Sequence, residues 1–145
     1  MPTITLNISP QGPLLEVFLD ISQARRNTLT QAGVIIPKPI QVTALIDTGA
    51  SCSCIDPSVI QKLNITPTGS GAVSTPLTGK TLQLCNKYDI SVLLVHPEIN
   101  YQIGAIPVLE SKVFGQGIHA LLGRDVLSKC LFIYNGTTQQ YTISF

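Results

Sequence analysis

Charge is scarce in this sequence. Asp, Glu, Lys and Arg make up 12% of its 145 residues, and the formal net charge is +1. Lysine and arginine are scattered, with Arg25-Arg26 the only adjacent basic pair, so the electrostatic footprint of a nucleic-acid binder is missing. No apolar run approaches the roughly 18 residues that a membrane-spanning helix needs. Met1-Pro2-Thr3 does not lead into a basic stretch followed by an apolar core, so no secretory signal is expected. Histidine is limited to the isolated His96 and His119. Cys52-Ser53-Cys54 could be half of a metal site, but no histidine or further cysteine pair lies at ligand spacing. The four cysteines, Cys52, Cys54, Cys85 and Cys130, therefore read as buried reduced thiols. These absences lead to the expectations of no metal, no cofactor, no nucleic acid, no membrane and a cytoplasmic location. Asn7, Asn64 and Asn135 head glycosylation sequons, which mean little without a secretory route.

What the chain does have is apolar material, 44% of it, enough for one domain over residues 1–145 with its own core. Most of it is patterned as strand. Thr3 to Ile8 alternates with a period of two, and Pro10-Gln11-Gly12-Pro13 turns the chain. Leu15, Val17, Leu19 and Ile21 then share one face of a second strand, with Glu16 and Asp20 on the other. Ser22 to Gly33 is a loop or a short helix. Val34-Ile35-Ile36, closed by Pro37-Lys38-Pro39, is expected at a sheet edge, because neither proline can donate to a ladder. Ile40 to Ile46 is apolar on both faces and suits a central strand. Cys52 to Ile55 extends again. Asp56-Pro57 is an N-cap followed by proline at the first helical position, opening a helix through Leu63.

Thr66 to Lys80 is rich in Gly, Ser, Thr and Pro and reads as a hairpin or an ordinary surface loop. Thr81 to Cys85 and Tyr88 to Val95 are strand patterns separated by Asn86-Lys87. In the strand Tyr101 to Leu109, Gly104 marks a bulge or a close approach and Pro107 a ladder defect. Gly115-Gln116-Gly117 is a loop. Ile118 to Leu122 runs apolar into Gly123, and Arg124 to Cys130 has helical spacing. Leu131 to Tyr134 and Gln140 to Phe145 flank Asn135-Gly136, a two-residue hairpin signal. No internal repeat of useful length appears. The class is mostly β, with two short helices.

The chemistry gathers at Ala44-Leu45-Ile46-Asp47-Thr48-Gly49-Ala50. An apolar strand here delivers one carboxylate into a glycine-relieved turn, a costly placement for an isolated ionised acid. Thr48 offers a hydroxyl, and Gly49 lets backbone approach the carboxylate. A turn-forming Asp at a strand end is the ordinary alternative. This stretch resembles the active-site loop of retropepsin-like aspartic proteases. A second element, Ala120-Leu121-Leu122-Gly123-Arg124-Asp125, resembles the downstream strand, glycine and helix opening that pass beside that loop in the same family. A side chain at Gly123 would block the approach. Together the two motifs are far more specific than Asp-Thr-Gly alone.

The resemblance covers about residues 14–145 and sits closer to cellular or bacterial members than to compact viral ones. It implies a mostly β acid-protease barrel with two short helices, a flap hairpin and dimer-forming termini, the run Tyr141 to Phe145 suiting the dimer sheet. Residues 1–13 would be an N-terminal strand extension, 22–39 an insert and 66–85 the flap region. Asp47 would be catalytic, with Thr48, Gly49 and Ala50 supporting the loop. Leu121, Leu122, Gly123, Arg124 and Asp125 would form the second motif. Gly69, Ser70, Gly71, Ala72, Val73, Ser74, Thr75 and Pro76 are the flap candidates. Ser51 stands where many relatives have a second Asp that pairs with the helix-opening arginine. The partner of Arg124 is accordingly Asp125, Asp56 or a backbone carbonyl. His119 could approach the cleft, or be packed or solvent-facing.

Acid-pair chemistry needs two carboxylates sharing a proton, and this chain has one such motif. The resemblance therefore implies a homodimer with Asp47 from each copy, acting on extended peptide or protein substrates. A catalytically silent dimerisation or peptide-binding module with the same fold is the alternative function.

Overall fold

The computed structural model describes residues 1–74, 81–112 and 117–145. Its principal sheet closes on itself. The strands are β2 (Leu14–Ile21), β3 (Ile40–Ile46), β4 (Cys54–Ile55), β6 (Gln83–Leu94), β7 (Tyr101–Glu110) and β8 (Ile118–Leu122). They run in the order β2-β3-β8-β4-β7-β6, and β6 pairs back onto β2, making a six-stranded barrel. β5 (Gly69–Val73) lies outside that ring, paired only to the first residues of β6 from Gln83 to Lys87. The mostly β barrel matches the expected fold class.

Period-two alternation explains which residues fill it. Leu15, Val17, Leu19 and Ile21 of β2 and Val42, Ala44 and Ile46 of β3 are all buried, as are Ile90, Val92 and Leu94 of β6. Each fully buried aliphatic side chain of this size contributes about 1.5–3 kcal/mol. The barrel core therefore holds β3, and with it the site, in a fixed position. As expected for a central strand, β3 has a neighbour on each side: antiparallel β2 and parallel β8.

β1 (Thr3–Asn7), β9 (Leu131–Asn135) and β10 (Gln140–Ser144) form a separate sheet in the order β1-β10-β9. Tyr141 and Ile143 enter the core from it, and the Tyr141 hydroxyl donates to the Leu14 carbonyl. Burial pushes the Tyr141 phenol up to about 12. Both edges of β10 are thus occupied within the chain. Within this sheet the outer edges of β1 and β9 are the ones left unpaired among the described residues.

Three helices are described: α1 (Gln23–Gln31), α2 (Pro57–Leu63) and α3 (Arg124–Leu127). The α2 boundaries are those expected, with the Asp56 carboxylate accepting from the Ser58 N–H. The loop-or-helix segment after Ser22 is a helix, so the expectation of two is corrected to three. Ser22 caps it, and buried Asp20 pairs with Arg26 one turn inside. α3 stops at Leu127, short of Cys130, and the Cys130 thiol instead contacts the Val126 carbonyl.

Four further expectations change. Asn86-Lys87 does not separate two strands. Asn86 pairs with Ser70, and Lys87 with both Gly69 and Leu109, so β6 runs through without a break. Val34 to Ile36 lies in no strand; Ile35 is 91% exposed while Ile36 packs on the core. Cys52 and Ser53 belong to the loop, and only Cys54–Ile55 is strand. The terminal hairpin turns over four residues, Gly136 to Gln139, because Asn135 pairs with Gln140. A two-residue Asn-Gly turn needs positive φ at both positions. Here Gln139 takes that conformation at φ 54, and the Asn135 side chain accepts from the N–H groups of Thr137 and Thr138.

Gly104 marks a bulge rather than a close approach: the β6–β7 register shifts between Ile90 and Val92, and nothing lies within 4 Å of a side chain built there. Pro107 stays in register opposite Asp89. The expected loop at Gly115-Gln116 lies outside the described residues. Among the described residues no helix is long and apolar enough to cross a membrane.

Candidate active site

β3 and β8 run side by side, with Ile46 opposite Leu122. Their ends deliver Asp47 and Gly123 to neighbouring places, and the Asp47 N–H donates to the Leu122 carbonyl at 2.9 Å. The loop then turns at once. The Gly49 N–H donates to Asp47 Oδ1 at 2.8 Å, and the Ala50 N–H to the Asp47 carbonyl at 3.3 Å. A Cβ at position 49 would lie 3.1 Å from that carboxylate oxygen. Glycine there lets the acid turn back onto its own loop. Asp47 is half-buried, while Thr48 and Gly49 are exposed.

The second motif meets the loop as expected. A Cβ on Gly123 would lie 2.8 Å from both the carbonyl carbon and oxygen of Cys52, and 3.0 Å from the Ala50 oxygen. Those atoms are backbone, and real Cβ contacts essentially never come so close. Gly123 itself is extended, at φ −90, so contact rather than conformation requires the glycine. The Arg124 N–H donates to the Ala50 carbonyl at 2.9 Å. Its guanidinium Nη1 reaches the carbonyls of Thr48 at 3.0 Å and Gly49 at 3.2 Å. Of the three partners open for Arg124, backbone carbonyls are the ones found. Leu122 is buried and Leu121 half-buried on the two faces of β8.

Asp125 turns the other way. Its Oδ1 accepts from the Ser53 hydroxyl at 2.7 Å and its Oδ2 from the Ser53 N–H at 2.8 Å. The same hydroxyl accepts from the Gly123 N–H at 3.0 Å. Ser53, 1% exposed, is thus the hub joining loop, strand and helix, and it was not singled out from sequence. The signal was present: in Cys52-Ser53-Cys54-Ile55, period-two alternation puts Ser53 on the same side as buried Ile55. A buried hydroxyl needs partners.

The remaining titratable groups have structural surroundings. Burial first, then the neighbouring Cys52, Cys85, Asp125 and Asp47, pushes the Cys54 thiol up to about 12, so it stays protonated and is no nucleophile. Burial works to raise the Asp56 carboxyl, but the hydrogen bonds from Ser58, with the charges of His119 and Lys112, hold it below its ordinary range. His119 is thereby placed beside Asp56, at the start of α2. Among the described residues no three His, Cys, Asp or Glu side chains come together as a metal ion would need.

Of the flap candidates, Gly69, Ser70, Gly71, Ala72 and Val73 form β5, and Ser74 follows it. Thr75 and Pro76 lie outside the described residues. A cavity of about 220 Å³ lies beside β5 and β7, with Cys52, at the far end of the Asp47 loop, on one wall and Ser70 and Gly71 on another. A larger one, about 520 Å³, is bounded by the β5–β6 ribbon and the end of β7, and no residue of the Asp47 loop lines it.

The sequence model of the aspartyl protease family matches residues 34–126, which include both motifs. The chain belongs to the aspartyl protease family. Among solved structures it is similar to a retropepsin-like aspartic protease from Rickettsia conorii, at 15% identity and a TM-score of 0.59, over 99% of this chain and 93% of that one. It is also similar to the retroviral protease-like domain of Ddi1 from Leishmania major, at 16% identity and a TM-score of 0.43, over 86% of this chain and 82% of that one. No curated protein matches. In this member of the aspartyl protease family the fold is retropepsin-like, as the two motifs implied.

Proposed function

We propose that the chain, as one domain over residues 1–145, is an aspartic endopeptidase acting on extended peptide or protein substrates. The working unit is a homodimer in which each copy contributes Asp47. Two carboxylates about 3 Å apart cannot both ionise. The ionised one takes a proton from a water molecule as that water attacks the peptide carbonyl carbon. The protonated one gives its proton to the carbonyl oxygen. Collapse of the resulting diol breaks the C–N bond, with a proton passing to the leaving amine. No metal or covalent intermediate takes part. β5 and the first residues of β6 act as the base of the flap beside the cleft.

The observation that carries this reading is the setting of Asp47: its carboxylate is held by a backbone N–H at 2.8 Å, in a loop still exposed at Thr48 and Gly49. That is a fixed acid with an open side for a twofold mate and a substrate. Family membership and fold agree with it. A second copy would add to the terminal sheet at β1 or β9, since β10 is already paired on both sides. Leu131, Ile133 and Tyr134 of β9 are exposed there. A cytoplasmic location keeps the four free thiols reduced.

The test is peptide cleavage from mildly acid to neutral pH by the parent and by Asp47→Asn, with sedimentation at the same concentrations. Cleavage by the dimeric parent and none by the variant is expected. Equal turnover, or an active monomer, sinks the shared-acid reading. Peptide binding without cleavage by either chain would favour the silent module.

A further inference from the structure

The cavity beside β5 and β7 has a wall whose chemistry the peptidase reading does not use. At about 220 Å³ it falls below the roughly 300 Å³ at which small-molecule sites begin, a size for one side chain. Pro107, Val108 and Leu109 of β7 line it with apolar surface, Cys52 closes it toward the catalytic loop, and Lys87 of β6 completes it. Its shape depends on Gly71. A Cβ there would fall 2.6 Å from Leu109 Cδ2, so any larger residue would drive the leucine out of place.

Lys87 is the charged residue of this lining. It is half-buried, paired through its backbone with Gly69 on one side and Leu109 on the other. A long cationic side chain commonly lays its aliphatic stem on apolar surface and keeps its ammonium toward water, the division that a half-buried lysine in an apolar lining suits. Among the described residues the one ion pair is Arg26–Asp20, so the Lys87 ammonium has no carboxylate partner there. Asp89, next on the same face of β6, does not line the cavity, and Glu110 is engaged by Asn86 and Tyr88.

We infer that this cavity is the subsite that reads a substrate side chain close to the scissile bond, and that it selects glutamate, whose methylenes meet Leu109 and Pro107 while its carboxylate meets Lys87. The inference rests on the endopeptidase reading for the bond that is cut. The binding preference itself does not require cutting.

The test uses matched extended peptides carrying Glu, Gln or Lys at each position in turn. They are assayed for cleavage by the full chain and titrated against Asp47→Asn. At one position Glu should exceed Gln by about two- to fivefold in kcat/KM, the scale of an exposed charge pair, and the margin should shrink as salt is raised. Lys87→Met, which keeps the stem, should bring the ratio to about one, and Lys87→Glu should turn the preference toward Lys. The titrations should give the same order. Equal values for all three peptides at every position, or an unchanged order in Lys87→Glu, overturns the inference. If the parent cuts no peptide while Asp47→Asn still ranks Glu first, the subsite stands and the peptidase reading falls.

Discussion

The Ser53 hydroxyl and the Asp125 carboxylate, 72 positions apart, meet at 2.7 Å. The Gly123 N–H donates to the same hydroxyl, so one buried serine fastens the loop after Asp47 to the strand and helix beside it. Ser53→Ala would leave the buried Gly123 N–H without its acceptor and Asp125 Oδ1 with the Val126 N–H alone. Hydrogen bonds to charged groups are worth about 1.5–3 kcal/mol. We expect a loss of about 2 kcal/mol, read as a lower urea midpoint at unchanged slope. Peptide cleavage should fall with it even at temperatures where the variant is fully folded. A midpoint within error of the parent would show that the hub does not hold the loop.

Gly123→Ala has less room to relax. Overpacking commonly costs about 1–3 kcal/mol, and the atoms met here are backbone at 2.8 Å, so the upper end applies. The way out is a shift of residues 50–52, which carries Asp47 with it. Cleavage should be abolished and the melting temperature lowered. Gly104→Ala is the matched control, since nothing lies within 4 Å of the added methyl. Its stability should stay close to the parent's. Two equal effects would mean that the tight approach beside the loop is not what demands glycine.

Arg124 acts on the loop through carbonyls rather than through a carboxylate. Arg124→Met removes the donors that reach Thr48 and Gly49. The guanidinium is exposed, so the stability cost should stay near 1 kcal/mol. The loop's exact placement matters more to the transition state than to the fold. We expect kcat to fall about tenfold, or ~1.4 kcal/mol of barrier, with KM nearly unchanged. Arg124→Lys should not rescue it, because the single nitrogen Nη1 meets both carbonyls and a lysine Nζ stands one bond nearer the backbone. Full activity in the lysine variant would count against the bridging role.

How much of this was legible in the sequence follows from how local each signal is. Asp56-Pro57 placed the start of α2 because cap and proline act within one turn. The alternation of β2 and β3 placed the barrel walls, and two motifs placed the site. What escaped depended on contacts distant in sequence. Asn86-Lys87 looked like a turn, but pairing with Gly69 and Ser70 on one side and Leu109 on the other kept β6 straight. Asn135-Gly136 carried the right pair of residues, yet the register between β9 and β10 moved the positive φ to Gln139. Ser53 was passed over because flanking cysteines suggested metal chemistry. Its partner, Asp125, becomes visible only when β8 is laid beside the loop.

Asp56 offers a pH-dependent test of local order. Its carboxylate caps α2 through the Ser58 N–H at 2.9 Å, and its pKa lies below the ordinary 3.8. A depressed folded value means that the ionised form is favoured by folding. The corresponding stability is therefore fully present above about pH 3.8 and is lost as the pH falls through the lower folded value. Asp56→Asn keeps a good cap without the charge, whereas Asp56→Ala loses the cap and about 1 kcal/mol. Melting temperatures of the three chains between pH 6 and pH 2.5, a window chosen to span that fall, separate the two effects. The parent's lead over the asparagine variant should shrink as the solution is acidified. Its lead over alanine should shrink as well, with the asparagine chain still above alanine at the acid end. A gap between parent and asparagine that is the same at every pH would mean that the Asp56 charge contributes nothing to holding α2.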